Sequence, residues 1–308
     1  MNRKMIRIGT RDSQLALWQA IRVQEGLRAK GFEAELVPLK SDGDIDLVTP
    51  LYEMGVQGIF TRTLDAALLA GKIDLAVHSM KDVPTQPARG IRAAAVLERG
   101  NPLDVLVPKA GTDFLHQPGV AATIATSSTR RKAQWLHRYP AHQVTNLRGN
   151  VNTRLRKLSE EPWHGAIFAA AGLERTGLLP ANAVPLHWML PAPAQGAILV
   201  VCREADEESF EIAALLNHAP TALCTQLERD FLRGLMGGCS TPISAYAEAL
   251  GESWRFRGNI FAPDGSSHES IELEETDPVK ALQLGKTAAA FLLERGAMRL
   301  LDKTGHHG

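Results

Sequence analysis

The fold class follows from one segment, Thr123-Ile124-Ala125-Thr126-Ser127-Ser128-Thr129-Arg130-Arg131. A short apolar run ends in a turn of hydroxyl residues, and helical spacing of apolar residues begins at Arg130. Serine and threonine are preferred at helix starts, because their side-chain oxygens accept hydrogen bonds from the first, unpaired N–H groups. The segment therefore predicts a strand that leads through a polar turn directly into a helix.

Strands and helices alternate in this way over the first two thirds of the chain. The predicted strands are Met5–Gly9, Glu35–Leu39, Ile73–Val77, Val105–Val107, Thr123–Ala125, Val144–Leu147 and Ala166–Ala169. The predicted helices are Gln14–Leu27, Thr63–Leu69, Arg130–His137 and Val151–Leu158, with Leu15, Trp18, Ile21 and Leu27 expected near one face of the first. Such alternation is typical of doubly wound α/β folds.

The last third has a different pattern, which indicates a small α+β module. A helix is predicted at Ala222–Leu235 and a second at Val279–Glu294. Between them lie three predicted strands, at Ile243–Ala249, Trp254–Phe261 and Ser270–Glu274, and the turn Pro263-Asp264-Gly265 separates the last two.

Length and composition exclude several classes of protein. A chain of 308 residues suggests two or three domains. Its 34 Lys and Arg balance 34 Asp and Glu, and 44% of it is apolar, which excludes a disordered chain and a globally basic nucleic-acid binder. The longest apolar runs, Ala166–Leu173 and Ala197–Cys202, are far shorter than the roughly 20 residues that span a bilayer. Residues 1–6 lack the apolar region of a signal peptide.

The three cysteines are widely spaced and odd in number, which indicates a reducing compartment and no zinc site. Cys202 falls in an apolar strand and Cys224 in a helix, as is usual for inert buried thiols. Cys239 fits that interpretation least well, because it follows two glycines in the loop Met236-Gly237-Gly238-Cys239-Ser240.

Basic residues are concentrated between Phe114 and Ser159, where the sequence has no Asp or Glu. The cations are Arg130, Arg131, Lys132, Arg138, Arg148, Arg154, Arg156 and Lys157. We interpret Lys132, Arg138, Arg156 and Lys157 as solvated helix surface. The other four stand near predicted helix starts, where guanidinium and N–H groups suit carboxylate or phosphate ligands. Nucleic acid is the rival polyanion, and it is disfavoured because only Trp135 and Tyr139 could stack on bases.

Two further polar segments follow predicted strands. In Thr10-Arg11-Asp12-Ser13 the cation Arg11 opposes the helix dipole unless an anion joins it, whereas Ser13 could equally be a plain helix cap. The segment His78-Ser79-Met80-Lys81-Asp82 lies at the carboxyl end of a predicted strand, where open α/β sheets bind ligands. The alternative is a local Lys81–Asp82 ion pair in a solvated loop.

Eight motifs are distributed over nearly the whole chain. They are Thr10–Ala20 (TRDSQLALWQA), Ala76–Pro84 (AVHSMKDVP), Thr126–Arg131 (TSSTRR), Asn146–Val151 (NLRGNV), Thr153–Leu155 (TRL), Ala171–Leu173 (AGL), Gln195–Ala197 (QGA) and Gly237–Cys239 (GGC). Together, and in this order, they resemble the hydroxymethylbilane synthase (porphobilinogen deaminase) family.

The resemblance implies an α/β fold of two doubly wound lobes like those of periplasmic binding proteins, with a small α+β C-terminal domain. Residues 1–99 and 197–217 would form lobe one, to which the chain returns near Ala197–Asn217. Residues 103–192 would form lobe two with its anion-rich cleft, and 220–308 the domain that carries the cofactor cysteine.

The implied activity is that of a transferase of haem biosynthesis. Four porphobilinogen molecules are joined head to tail, with release of ammonia, to give linear hydroxymethylbilane. A dipyrromethane cofactor, held by a thioether to Cys239, would prime the chain. The resemblance further implies a cytoplasmic monomer that binds no nucleic acid, membrane or metal.

The resemblance also implies the site residues. Asp82 would be the catalytic carboxylate that stabilises the cationic azafulvene left when ammonia departs. The implied cofactor ligands are Cys239, Ser79, Lys81, Asp82, Thr126, Ser127, Ser128, Arg130, Arg131, Arg148 and Gly149. The implied substrate ligands are Arg11, Ser13, Gln19, Arg148, Arg154, Ala171, Gly172 and Gln195.

The chain departs from well-known members of the family at three places. The loop Ser41–Phe60, a mobile flap in the family, has Glu53 and Gln57 where those members carry lysines. Pro193-Ala194 replaces the usual Val-Gly, which predicts a stiffer hinge, and Ser240-Thr241 follows the cysteine. The rival hypothesis is a non-catalytic two-lobed anion-binding protein, which would need neither Asp82 nor a modified Cys239.

Overall fold

The computed structural model describes residues 5–40, 61–117, 119–238 and 241–301. The predictions for the loop Ser41–Phe60, with Glu53 and Gln57, and for Cys239 and Ser240 lie outside the described residues.

The elements of the first two thirds alternate much as predicted. In chain order they are β1 (Ile6–Arg11), α1 (Gln14–Ala29), β2 (Ala34–Leu39), α2 (Arg62–Leu69), β3 (Leu75–Ser79), β4 (Ile91–Val96), β5 (Asp104–Pro108), β6 (Thr123–Ala125), α3 (Thr129–Arg138), β7 (Gln143–Thr145), α4 (Val151–Glu160), β8 (Gly165–Ala169), α5 (Ala170–Thr176), β9 (Val184–Pro185) and β10 (Ile198–Arg203). Short 3₁₀ turns at Met80–Asp82 and Asp113–Leu115 interrupt this series.

The last third contains four helices, three strands and a final 3₁₀ turn within the described residues. They are α6 (Glu207–Ala214), α7 (Ala219–Gly234), β11 (Ile243–Leu250), β12 (Ser253–Phe261), β13 (His268–Glu275), α8 (Pro278–Ala281), α9 (Leu284–Glu294) and the turn Ala297–Leu300.

The chain divides into two compact units. Of the described residues, the first unit holds 5–40, 61–100 and 196–223, and the second holds 101–117, 119–195, 224–238 and 241–301. The C-terminal sheet is thus grouped with the second lobe, and the division into three domains stays a prediction.

The first unit is built on a five-stranded sheet in the order β2-β1-β3-β10-β4. β1 is parallel to β2 and β3, whereas β10 is antiparallel to both of its neighbours. The chain returns to this sheet as β10 after it has formed the second lobe. A buried apolar cluster that includes Ile8, Leu75 and Val200 holds α1 and α6 against the sheet.

The second unit contains two sheets. The larger has the order β7-β6-β8-β5-β9, in which β6 is parallel to β7 and β8, and β5 is antiparallel to β8. The smaller is the antiparallel sheet β11-β12-β13. These three sheets confirm the predicted class, two α/β lobes with a small C-terminal α+β part.

The helix faces needed correction. In α1 the buried positions are Ala16, Gln19, Ala20, Val23 and Leu27, whereas Ile21 is 40% exposed, so the predicted apolar face was wrong there. The buried residues follow the spacing i, i+3, i+4, i+7 and i+11 from Ala16, and two of them are alanines, small enough to bring the helix close to the sheet.

The single helix predicted at Val279–Glu294 was also wrong, because the structure has α8 and α9 with a break at Leu282-Gln283. Asp277 caps α8 by accepting hydrogen bonds from the N–H groups of Val279 and Lys280.

Trp135, one of two residues considered for base stacking, is fully buried in the core of the second lobe. Its indole N–H donates to His142 Nδ1 at 3.2 Å, and Tyr139 stacks on the same histidine. Trp135 is therefore not available to stack on a base.

Candidate functional site

A cavity of about 70 Å³ lies in the first unit, where β1 and β3 end. The residues that line it are Arg11, Ser13, Leu15, Ala16, Gln19, Thr61, Val77, His78, Ser79 and Asp82. Parallel neighbouring strands end at the same edge of a sheet, which explains why two segments so far apart in sequence meet here. The structure thus brings together five of the predicted site residues: Arg11, Ser13, Gln19, Ser79 and Asp82.

Hydrogen bonds at this edge fix the polar side chains. Ser13 caps α1, with its hydroxyl 3.4 Å from the Ala16 N–H, and it also lines the cavity. Both interpretations of Ser13 are therefore compatible with its position. Gln19 is buried, and its Nε2 donates to Ser79 Oγ at 2.9 Å, which ties α1 to the last residue of β3.

Asp82 stands at the end of the 3₁₀ turn Met80–Asp82, directly after β3. The turn is anchored by the Met80 N–H, which donates to Ala197 O at 3.0 Å. Asp82 is half-buried and lines the cavity, whereas Lys81 is half-buried but is not among the lining residues. The turn therefore directs one of the two charged side chains to the cavity.

His78 is the penultimate residue of β3 and is only 6% exposed. Burial, and to a smaller extent the positive charge of Arg11, lower the pKa of its imidazole from 6.5 to about 4. His78 is therefore a neutral group in the wall of the cavity at physiological pH.

The lowered pKa of His78 predicts that the protein loses stability in mild acid. Between pH 6.5 and about 4 the unfolded chain binds a proton that the folded chain does not, so the free energy of unfolding falls as the pH falls. The loss attributable to this group at pH 4.5 is roughly 2–3 kcal/mol. Urea unfolding at pH 7.5 and pH 4.5 measures it.

His78→Gln should make the loss between these two pH values smaller by that amount, whereas His187→Gln, at an exposed position, should leave it unchanged. An equal acid loss in the wild type and in His78→Gln would contradict the prediction.

In the second unit, three helices begin where three neighbouring parallel strands end. β7, β6 and β8 lie side by side, and α4, α3 and α5 respectively follow them. The starts of α3 and α4 are connected, because Ser127 Oγ accepts from the Leu147 N–H at 3.0 Å and donates to Leu147 O. This edge of the sheet, hereafter the helix-start edge, gathers hydroxyl, amide and guanidinium groups.

The hydroxyl turn Thr126–Ser128 caps the start of α3, as its sequence predicts. Ser128 caps α3 by accepting from the Arg131 N–H at 3.4 Å. Thr126 is buried, and its Oγ1 accepts from the Ser128 N–H. The three hydroxyls therefore first stabilise the turn itself, and they lie at the start of a ten-residue helix.

Arg148, Gly149 and Arg154 lie at the start of α4. Asn150 caps this helix through the Thr153 N–H, and Arg154 Nε donates to Gly149 O at 2.7 Å. Arg148 is 5% exposed. Gly149 has φ of +113°, and a Cβ there would stand 2.6 Å from a Thr153 methyl, so no other residue fits this position without strain.

We expected a bound ligand to supply the negative charge next to Arg130 and Arg131, but in the structure a carboxylate of the protein itself lies there. Both are buried, and both bind the carboxylate of Asp104, the first residue of β5, at 2.7 Å. The acid-free stretch of sequence therefore has an acidic partner 26 residues before Arg130. Of the four residues interpreted as surface, Lys132, Arg138 and Arg156 are exposed, and Arg156 pairs with Glu160.

Three more predicted residues lie in the same unit. Ala171 and Gly172 are in the first turn of α5. Gln195 is buried, and its Nε2 donates to Pro102 O at 2.8 Å and to Asp104 Oδ1 at 2.9 Å. In the structure Gln195 therefore belongs to the same cluster as Arg130 and Arg131.

The segments on either side of Cys239 are closely held. Thr241 Oγ1 accepts from the Gly238 N–H at 3.1 Å and donates to Gly238 O at 2.7 Å. A Cβ on Gly237 would lie 2.5 Å from Ile243, whereas one on Gly238 would meet open space. The first glycine is thus required for packing rather than for a permissive backbone.

Within the described parts of the chain, no three His, Cys, Asp or Glu side chains come together as a metal site would require. No helix there has the length and apolar character that crossing a membrane demands. Cys202 and Cys224 are buried free thiols, as predicted.

Sequence reasoning missed several residues of these sites. His78 was inside a quoted motif, but its role in the cavity wall depends on burial, which the motif alone does not reveal. Thr61 and Asp104 carry no local signal at all. A buried carboxylate partner for two arginines could have been sought among the few acidic residues that open predicted strands.

The fold and these two sites define an α/β protein of two lobes with cationic, hydroxyl and amide groups gathered where strands end. Comparisons with known proteins then identify it more closely. Residues 6–211 match the family model "Porphobilinogen deaminase, dipyromethane cofactor binding domain". Residues 222–294 match "Porphobilinogen deaminase, C-terminal domain".

Curated relatives agree with these matches. A porphobilinogen deaminase of Syntrophotalea carbinolica is 42% identical over 306 residues, covering 98% of this chain and 96% of the relative. A porphobilinogen deaminase of Rubrobacter xylanophilus is 43% identical over 295 residues, covering 96% of this chain and 95% of the relative. The chain therefore belongs to the porphobilinogen deaminase family.

Among solved structures, a periplasmic substrate-binding protein of an ABC transporter from Coxiella burnetii has a TM-score of 0.42 and 16% identity, over 71% of this chain and 94% of its own. The BvgS periplasmic VFT2 domain of Bordetella pertussis has a TM-score of 0.41 and 12% identity, over 69% of this chain and 86% of its own. These likenesses are weak, and the sheet orders given above remain the basis for the fold class.

Proposed function

We propose that this chain joins porphobilinogen molecules with Asp82 as its catalytic carboxylate, Cys239 as the attachment point of its cofactor, and two sets of cationic and hydroxyl groups as ligands of carboxylates. As a member of its family, the chain is a transferase of tetrapyrrole biosynthesis that acts on porphobilinogen and uses dipyrromethane. The observation that carries the residue assignments is the cavity at the end of β3, where Asp82 meets Arg11 and Ser13.

The polar groups around the first-unit cavity suit the carboxylates of one substrate unit. The pyrrole of porphobilinogen carries an acetate and a propionate, which are anions that need donors. Arg11 supplies a cation, and Ser13 and Gln19 supply neutral donors, with Gln19 oriented by Ser79. Because His78 is neutral, Arg11 is the cation that this wall offers to a carboxylate.

The helix-start edge of the second unit fits dipyrromethane. The group carries four carboxylates. The donors at this edge are two helix starts, the hydroxyls of Thr126 and Ser128 and the guanidinium groups of Arg148 and Arg154, whereas the Ser127 hydroxyl donates to Leu147 O beside them. Gly149, where a side chain would collide with Thr153, leaves the backbone accessible beside them. We propose these residues, with Arg130, Arg131 and the first turn of α5, as the binding site of cofactor and elongating chain.

Cys239 is proposed as the attachment point through a thioether. It is preceded by closely packed Gly237 and by Gly238, whose backbone is tied to Thr241. Lys81 and Ser79 are proposed as further cofactor ligands, since Lys81 precedes Asp82 on the same turn and Ser79 is the last residue of β3, directly before that turn. A cytoplasmic monomer remains our expectation for the state of the protein.

The chemistry assigned to this chain's own residues is binding and electrostatic stabilisation. When bound, dipyrromethane supplies the pyrrole carbon to which the first substrate is joined. Positive charge develops on porphobilinogen as ammonia leaves, and the Asp82 carboxylate lowers the energy of that charge. A half-buried carboxylate does this better than one in water, because fewer solvent molecules screen it.

The purified protein, incubated with porphobilinogen, should release one ammonia for each substrate joined and should give hydroxymethylbilane. The rival function, non-catalytic binding of anions, would give saturable uptake of porphobilinogen without ammonia. Absence of ammonia release from a protein that carries its cofactor would refute the proposal.

Arg148→Leu should weaken binding of the elongating chain. Loss of one charge-assisted contact costs about 1.5–3 kcal/mol, which corresponds to at least a tenfold loss of affinity. We expect lower cofactor content or a stalled intermediate, visible by intact mass after addition of limiting porphobilinogen. Arg156→Leu is the matched control, because Arg156 lies on α4, the helix that follows Arg148, and is exposed there in a surface ion pair with Glu160. Equal tolerance of the two changes would show that the basic segment is a solvated surface.

A further inference from the structure

Asp104 is a fully buried carboxylate with partners on all sides. Its Oδ1 accepts from Arg131 Nε at 3.1 Å, from Arg131 Nη2 at 2.7 Å and from Gln195 Nε2 at 2.9 Å. Its Oδ2 accepts from Arg130 Nη2 at 2.7 Å. One side chain therefore holds three residues that come from two distant parts of the chain.

The position of Asp104 explains why it can do so. It is the first residue of β5, and the antiparallel register places it opposite Ala169, the last residue of β8. An antiparallel strand begins where its parallel neighbours end, so Asp104 lies at the helix-start edge, beside the hydroxyl turn of Thr126–Ser128. No step of the reaction described above uses this carboxylate.

The charges in this cluster do not cancel. Two guanidinium groups face one carboxylate, and their remaining contacts are to neutral carbonyls, Arg130 Nη1 to Leu190 O and Arg131 Nη1 to Ile167 O. Burial and the proximity of Arg131 lower the pKa of Arg130. The cluster therefore has one net positive charge, which attracts an anion. The Asp104 carboxylate also reduces the repulsion between the two guanidinium groups, so they can stay close together only while it is present.

We propose that Asp104 is a positioning residue of the cofactor site, which fixes the orientation of the Arg130 and Arg131 guanidinium groups and of the Gln195 amide. Its carboxylate binds Arg131 side-on through two nitrogens, and such paired contacts define the plane of a guanidinium. Without it, two adjacent cations repel each other and turn away from the helix start. The inference rests on the proposed function, because it requires that dipyrromethane binds at this edge.

Asp74 provides a matched control in the other unit. It too is fully buried and binds two arginines, Arg7 at 2.9 Å and Arg203 at 3.5 Å. It precedes β3, at the opposite end of that strand from the cavity. Asp74→Asn and Asp104→Asn therefore each remove the charge of a fully buried carboxylate that binds two arginines, and only the second change touches a proposed cofactor residue. The arginines differ in burial, since the side chains of Arg7 and Arg203 are 35% and 23% exposed and those of Arg130 and Arg131 are 5% and 6% exposed.

The test compares these two variants with the wild type, all purified from cells that make porphobilinogen. The measurements are the melting temperature and the fraction of chains whose intact mass includes dipyrromethane. We expect both variants to melt at lower temperature. Asp74→Asn should keep the wild-type cofactor content, whereas Asp104→Asn should fall below a tenth of it. Equal cofactor content in the two variants would overturn the proposal.

Two further outcomes are decisive. If Asp104→Asn yields no folded protein, Asp104→Glu is compared with Asp74→Glu, since both keep the charge and move it by one methylene. Cofactor content in Asp104→Glu below a third of that in Asp74→Glu supports positioning, and equal content overturns it. A wild-type chain without cofactor would instead refute the proposed function, and the inference would fall with it.

Discussion

Asp82→Asn should slow the formation of hydroxymethylbilane at least about a hundredfold, while the protein folds and keeps its cofactor. Asparagine has nearly the shape of aspartate and keeps one acceptor oxygen, so the change removes charge with little change in packing. Removal of one preorganised charged or polar group from such a site typically costs about 10²–10³ in rate. The initial rate of ammonia release and the melting temperature, measured on one preparation, test the prediction.

The control for Asp82→Asn is Asp12→Asn. Asp12 is an exposed carboxylate in the loop before α1, close in sequence to Arg11 and Ser13 but not among the residues that line the cavity. Its rate should stay within about threefold of the wild type, because an exposed charge is screened by water. If Asp82→Asn lowered the melting temperature but kept a near-normal rate, Asp82 would belong to a structural ion pair instead.

Cys239→Ala should abolish covalent cofactor and with it the activity. The wild-type intact mass should exceed the sequence mass by two porphobilinogen units less two molecules of ammonia, and Ehrlich's reagent should colour the denatured protein. Both signals should be absent from the variant, since alanine offers no sulfur to form a thioether.

Cys202→Ala and Cys224→Ala serve as controls, because both thiols are buried and lie in regular elements. Burial raises the pKa of the Cys202 thiol, so the nucleophilic thiolate is disfavoured there. Both variants should keep the added mass. Added mass that survives Cys239→Ala and disappears in either control would place the attachment elsewhere.

Local patterns were enough to predict much of the fold. The strand Thr123–Ala125 and the start of α4 at Val151 agree with the structure residue for residue, because apolar runs and capping residues act over a few neighbours. The face of α1 was wrong at Ile21, since small residues such as Ala16 and Ala20 are invisible to a search for large apolar side chains. The break between α8 and α9 was missed because Leu282 and Gln283 are ordinary helix-forming residues, and the nearest glycine, Gly285, is already inside α9.

The candidate site was predictable in its motifs but not in its pairings. Residues that follow strands, such as Ser79 and Asp82, reach the cavity because sheet topology places them at one edge. Asp104 was missed for the opposite reason. Its contact with Arg130 joins β5 to α3 across a whole strand–turn–helix unit, and no spacing rule connects them. The segment from Phe114 to Ser159 has no acidic residue in its sequence, but in the folded protein Asp104, from outside the segment, balances part of its positive charge.

Ala194 shows how a departure from a family's usual residue can be absorbed. It occupies left-handed backbone, with φ of +62°, where the family usually has glycine, and it is fully buried. Its N–H donates to Glu228 Oε2 at 2.6 Å, and the other oxygen of Glu228 accepts from the Ala247 N–H. The strain costs about 1–2 kcal/mol. Glycine would remove this strain, but it would also give the unfolded chain freedom worth about 0.4–1 kcal/mol. The second effect offsets part of the first, so the net cost of alanine at this position is smaller than its backbone strain alone.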